Sequence, residues 1–102
     1  MNIIIKGTKI DLTPEVKEYI EEKITGLGKY FDKIIEARVE VGLTTAHHRT
    51  GSIYRAEINL RVPGTLLRVE KTTQNLLKAI DKAEDHMREE LKRYKEKLRG
   101  DK

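Results

Sequence analysis

The chain reads as an α+β two-layer sandwich of order β-α-β-β-β-α, a four-stranded mixed sheet with two helices on one face. Three observations predict it. Two stretches carry apolar residues at helical steps of three and four, and two others alternate apolar with polar residues. The alternation is one-sided, which suits a sheet covered on one face and wet on the other. A chain of 102 residues also has room for one core but not two, so residues 1–102 form a single domain.

The first strand is expected over Asn2 to Lys6, where Ile3-Ile4-Ile5 is a β-branched run. Leu12-Thr13-Pro14-Glu15 then starts a helix, with Thr13 at the N-cap, Pro14 at the first turn and Glu15 beside the positive dipole end. Its seam is Val16, Ile20, Ile24 and Leu27 with Tyr19 at the edge, and Gly26 and Gly28 end or loosen it. Lys17 and Lys23 flank the seam, while Glu15, Glu18 and Glu22 occupy the outer ridge.

From Ile34 to Leu43, Ile35, Ala37, Val39, Val41 and Leu43 point inward, and Glu36, Arg38 and Glu40 point outward. A loop runs from Thr44 to Gly51. Ser52 to Val62 alternates again, Tyr54, Ala56, Ile58, Leu60 and Val62 against Arg55, Glu57, Asn59 and Arg61. Pro63-Gly64 is a tight turn, so Thr65 to Lys71 should return as a hairpin. The first two strands, joined through a helix, should be parallel neighbours with a right-handed crossover.

The long stretch Gln74 to Arg99 is the second helix, roughly 39 Å at about 1.5 Å per residue. Leu76, Ile80, Ala83, Met87, Leu91, Tyr94 and Leu98 make its seam, with Thr72 or Thr73 as cap and Gly100 as stop. Arg88, Lys92, Lys95 and Arg99 lie along one flank; Lys82, His86, Arg93 and Lys97 lie along the other, interrupted by Glu90. Asp81, Asp85, Glu89 and Glu96 are placed on a ridge opposite the seam, and Glu84–Arg88 and Glu89–Arg93 are at ion-pair spacing. The plain account of the flanks is that Lys and Arg stems cover the seam edges while their heads reach water. If the two helices lie side by side, cations from both line the groove between them.

The net charge of +4 and a sequence pI near 9.3 permit a nucleic-acid partner without demanding one. From Lys92 to Arg99 there are five cations against one carboxylate, Glu96. No apolar run approaches the roughly 20 residues of a membrane span, and the N-terminus lacks a signal-peptide pattern. With no cysteine there is neither disulfide nor thiolate chemistry, and a soluble cytoplasmic protein is expected.

No catalytic motif is present: there is no Walker loop, and Gly26-x-Gly28 ends a helix rather than opening one. His47-His48 lack a third ligand, so loop histidines without metal are the better reading. His86 reads as a surface histidine able to titrate near neutrality. Tyr30-Phe31 suits closure of one end of the core better than stacking on a base. No catalytic residue, metal ligand, cofactor or small-molecule substrate is assigned.

In this order of elements a run of short matches resembles the ribosome hibernation-promoting factor and ribosome-associated inhibitor family, also called sigma-factor modulation proteins. The likeness takes in Asn2-Ile3, Leu12-Thr13-Pro14 and Lys29-Tyr30-Phe31-Asp32-Lys33-Ile34-Ile35-Glu36-Ala37. It continues with Pro63-Gly64, Leu67-Arg68-Val69-Glu70, Ala79-Ile80-Asp81-Lys82-Ala83 and Lys92-Arg93-Tyr94-Lys95-Glu96-Lys97-Leu98. The resemblance implies a fold like the double-stranded-RNA-binding domain with an extra first strand. It also implies binding to the small ribosomal subunit and its RNA between head and body, where messenger and transfer RNA are blocked. Ribosomes are thereby silenced and preserved in stress or stationary phase.

The family uses basic residues of both helices, and the matching positions include Lys23, Lys29, Arg88, Lys92, Arg93, Lys95 and Lys97; Lys82 completes the candidate RNA contacts. Gly26, His86 and Glu89 stand where the family is often basic, and Ala46-His47-His48-Arg49 is less basic than its usual loop, which implies weaker or more pH-dependent phosphate affinity. The chain stops at Lys102 without the dimerisation domain of longer members, so it reads as a short form or as a trimmed long one. The rival class is a protein-binding α/β module using the mixed-sign sheet face of Arg55, Arg61, Glu36, Glu40 and Glu57.

Overall fold

The computed structural model describes residues 1–44 and 51–100. Its elements are β1 (Asn2–Thr8), α1 (Pro14–Leu27), β2 (Glu36–Leu43), β3 (Tyr54–Val62), β4 (Thr65–Thr73) and α2 (Leu76–Leu98). The sheet order is β1-β2-β3-β4, with β1 parallel to β2 and the other two pairings antiparallel. This is the predicted two-layer arrangement. The expected loop, with His47, His48 and Arg49, lies mostly outside the described residues.

The register follows from the alternation. Ala37, Val39, Val41, Ala56, Ile58, Leu60 and Val62 are buried under the helices, while Arg38 and Arg61 stay exposed on the open face. A slip of one residue would put every one of these side chains on the wrong side. Gly42 permits the close β1–β2 approach, since a Cβ there would meet the Thr8 carbonyl oxygen at 2.1 Å. Gly64, at φ +86°, supplies the left-handed position of the β3–β4 turn.

Three expectations are corrected. Ile35 is 53% exposed, because pairing begins only at Glu36 and the turn at Asp32–Lys33 delivers Ile34 to the core instead. The α2 cap is Asn75, not Thr72 or Thr73: β4 runs on to Thr73, and Asn75 Oδ1 accepts from the Lys78 amide at 3.0 Å. Leu98 is 58% exposed, since α2 outruns the sheet after Leu91 and Tyr94.

The core joins Ile20, Ile24 and Leu27 of α1 to Ile80, Ala83, Met87 and Leu91 of α2 above the sheet. Helix α2, about 35 Å long, packs mainly across β3 and β4, and α1 packs against α2 and β1. Thr13 caps α1 as expected, its side chain accepting from the Val16 amide.

Candidate nucleic-acid interface

The helices pack side by side, but the line where they meet is not purely cationic. Lys23 of α1 pairs with Asp81 of α2 at 3.3 Å, and the Tyr19 hydroxyl donates to the same carboxylate. Asp81 therefore faces α1 rather than the ridge opposite the seam. It stands seven residues, two turns, before Arg88 and shares that residue's flank. Burial works against the charge on Lys23, but the hydrogen bond and charge of Asp81 outweigh it and raise its pKa.

One turn further along, Glu84 is buried at 6% exposure and accepts from Arg88 Nη2 at 2.7 Å, the i,i+4 pair that the spacing predicts. Arg88 also reaches Asp85 at 2.9 Å, and its hydrogen bond to Glu84, against burial, raises its pKa. The guanidinium stands 5.6 Å from the centroid of the Tyr30 ring, and Lys92 Nζ stands 5.9 Å from the same ring. Such cation–π contacts hold the cations over an aromatic face while leaving their charge available. Phe31 is buried and meets Tyr94 edge-on, and half-buried Tyr30 packs against the same core, as expected of the pair. Tyr30 also offers its ring to Arg88 and Lys92, a role that burial preference alone does not indicate.

The candidate contacts thus divide. Lys23, Arg88 and Lys92 come together around Tyr19 and Tyr30, with half-buried Lys95 on the same flank of α2. Arg93 and Lys97 lie on the other flank, beside the β3–β4 turn. Lys82 borders a hollow near the start of α2 with Asn75 and Lys78. Lys29 lies apart, at a shallow surface lined by Glu18, Glu21 and Glu22. The expected Glu89–Arg93 pair does not form; Arg93 turns to Glu90, and Glu89 takes Lys92 at 3.7 Å. Among the described residues Lys29, Lys82, Lys95 and Lys97 have no ion pair. Exposed pairs such as Lys92–Glu89 are worth about 0–1 kcal/mol, so a phosphate can replace the carboxylate at little cost.

The open sheet face is different in kind. Arg55, Glu57, Arg68 and Glu70 close a ring of four ion pairs, two cations against two carboxylates. Its charges are already matched within the fold. No group of three or more acidic, His or Cys side chains that could hold a metal is found among the described residues, and no helix is long and apolar enough to cross a membrane.

Comparison with known proteins identifies the family. The family model described as sigma 54 modulation protein / S30EA ribosomal protein matches residues 3–99. The chain belongs to that family. The ribosome hibernation promotion factor of Deinococcus radiodurans is 33% identical over 91 residues, covering 89% of this chain and 47% of that protein. The ribosome hibernation promoting factor of Acidithiobacillus ferridurans is 33% identical over 81 residues, 79% of this chain and 100% of its own length. The crystal structure of the N-terminal domain of Thermus thermophilus Protein Y is 36% identical, with a TM-score of 0.75, covering 92% of this chain and 99% of that one. The chain spans about half the length of the first curated relatives it matches, 47%, 53% and 50%.

Proposed function

We propose that this domain binds the small ribosomal subunit through its RNA, occupies the messenger and transfer RNA channel, and keeps ribosomes dormant in stress or stationary phase. The observation that carries the reading is the family match over residues 3–99, with relatives named for ribosome hibernation. The geometry supports it: Lys92 beside Tyr30 can trade exposed Glu89 for a phosphate, Lys97 has no ion pair among the described residues, and Arg93 stands exposed with it on the opposite flank. The protein acts by occupancy in the cytoplasm, without a catalytic step, cofactor or small-molecule substrate. A body measuring 47 × 28 × 18 Å excludes messenger and transfer RNA from any channel it fills.

Sedimentation with purified small subunits through gradients at two salt concentrations tests this. The protein is expected to travel with the subunit at low salt and to leave it steeply as salt rises, each phosphate contact adding roughly 0.7–0.9 to the slope of log affinity against log salt. Failure to co-sediment at low salt would refute the reading. Salt-insensitive binding would favour the sheet-face protein interface instead.

A further inference from the structure

A second feature lies along the last turns of α2, beside the β3–β4 turn. Between the last turns of that helix and the β3–β4 turn is a cavity of about 420 Å³. Pro63, Leu67, Leu98 and the Tyr94 ring give it apolar walls, and Arg93 and Lys97 stand with them. Leu98 is 58% exposed and lies beyond the core, so folding alone does not call for leucine there. The Tyr94 ring is fixed twice, by its hydroxyl donating to the Pro63 carbonyl and by edge-on contact with Phe31 at 5.2 Å. Glu90, the cavity's one carboxylate, is shared between Arg93 and His86, whereas Lys97 has no ion pair among the described residues.

Resting on the reading of RNA as partner, we propose that this cavity takes one unpaired base of that RNA. The base lies against Leu98 and Tyr94, and an adjoining phosphate meets Lys97 and Arg93. A fixed aromatic ring, apolar walls and a cation without a partner match the two halves of a nucleotide, a flat π-surface and an anion. An acidic peptide would satisfy the cations but leave the apolar walls wet. The site is also continuous with the cations of α2 already proposed as phosphate contacts.

The test compares a labelled ten-nucleotide single-stranded RNA with an oligomer of the same length made of abasic ribose phosphate, titrated against the chain by fluorescence anisotropy. The abasic oligomer is expected to bind on the order of tenfold more weakly, the range of a stacked base. Leu98→Ala should erase most of that preference while leaving the salt dependence unchanged. Lys97→Gln should keep the preference and lower the salt slope by about 0.7, one phosphate contact on a single strand. Circular dichroism melts check that both variants fold. Equal binding of the two oligomers, a preference that survives Leu98→Ala, or base-insensitive binding displaced by polyglutamate would overturn the proposal. Small-subunit sedimentation run alongside separates the two readings. A base preference without co-sedimentation supports the cavity and refutes the ribosome, and co-sedimentation without a base preference does the reverse.

Discussion

Glu57 lies on the open sheet face yet is 9% exposed, because Arg55 and Arg68 close over it. Burial opposes its ionisation, but the hydrogen bond from Arg68 and the charges of both arginines outweigh that and hold its pKa below the ordinary 4.5. A carboxylate with a depressed folded-state pKa contributes stability above its unfolded value and loses it as pH falls through the folded one. Melting temperatures of wild type and Glu57→Gln should therefore differ most at neutral pH and converge as acid is added below about 4.5. A gap that stays constant to low pH would show that the ring does not hold the charge. Leu91 offers the contrast of a fully buried apolar side chain. Leu91→Ala should cost on the order of 2–5 kcal/mol in urea unfolding, and exposed Glu96→Ala should be nearly neutral. Equal losses would mean that the buried face of α2 is misplaced.

At the scale of the element, α2 serves two purposes with one period: its seam roofs the sheet, and its flanks carry cations to either side. Lys92 and Arg93 are neighbours in sequence but stand on opposite flanks, one at Tyr30 and one at the β3–β4 turn. Reversing both to Glu should sharply reduce small-subunit binding and flatten the salt slope by up to about two contacts, with folding changed by no more than about 0.5 kcal/mol. The single reversals show which flank meets RNA. In α1, Gly26 has nothing within 4 Å of where a side chain would begin. Gly26→Lys should stabilise the helix by up to about 1 kcal/mol and tighten subunit binding, both measurable in parallel with wild type. Unchanged binding by a stable variant would place that face of α1 away from the RNA. The elements were legible because periods of two and of three to four are written in the apolar residues. Their ends were less so. Ile35 obeys the alternation but precedes the pairing, and Thr73 is a plausible cap that β4 claims first.

The whole molecule presents two unlike sides. The sheet face neutralises its own charge in the Arg55–Glu57–Arg68–Glu70 ring, so Arg55, an obvious choice for a control by sequence, would disturb the fold if reversed. Arg61, exposed on that face and without an ion pair among the described residues, is the better one, and Arg61→Glu should affect subunit sedimentation less than the double reversal on α2. An equal loss would move the interface to the sheet. The two rows of cations could be read from a helical wheel. The compensation of Arg88 by Glu84 could be read from the same spacing, but that of Lys23 by Asp81 could not, because it depends on how α1 and α2 meet in space. Helix α2 follows the sheet strands in the order of elements, and it provides both the roof over β3 and β4 and most of the proposed contacts. A growing chain that has not yet made α2 has an open core and no cationic rows. Such a chain leaves β3 and β4 without their roof, so on the proposed reading the RNA contacts carried by α2 form only once that helix has docked.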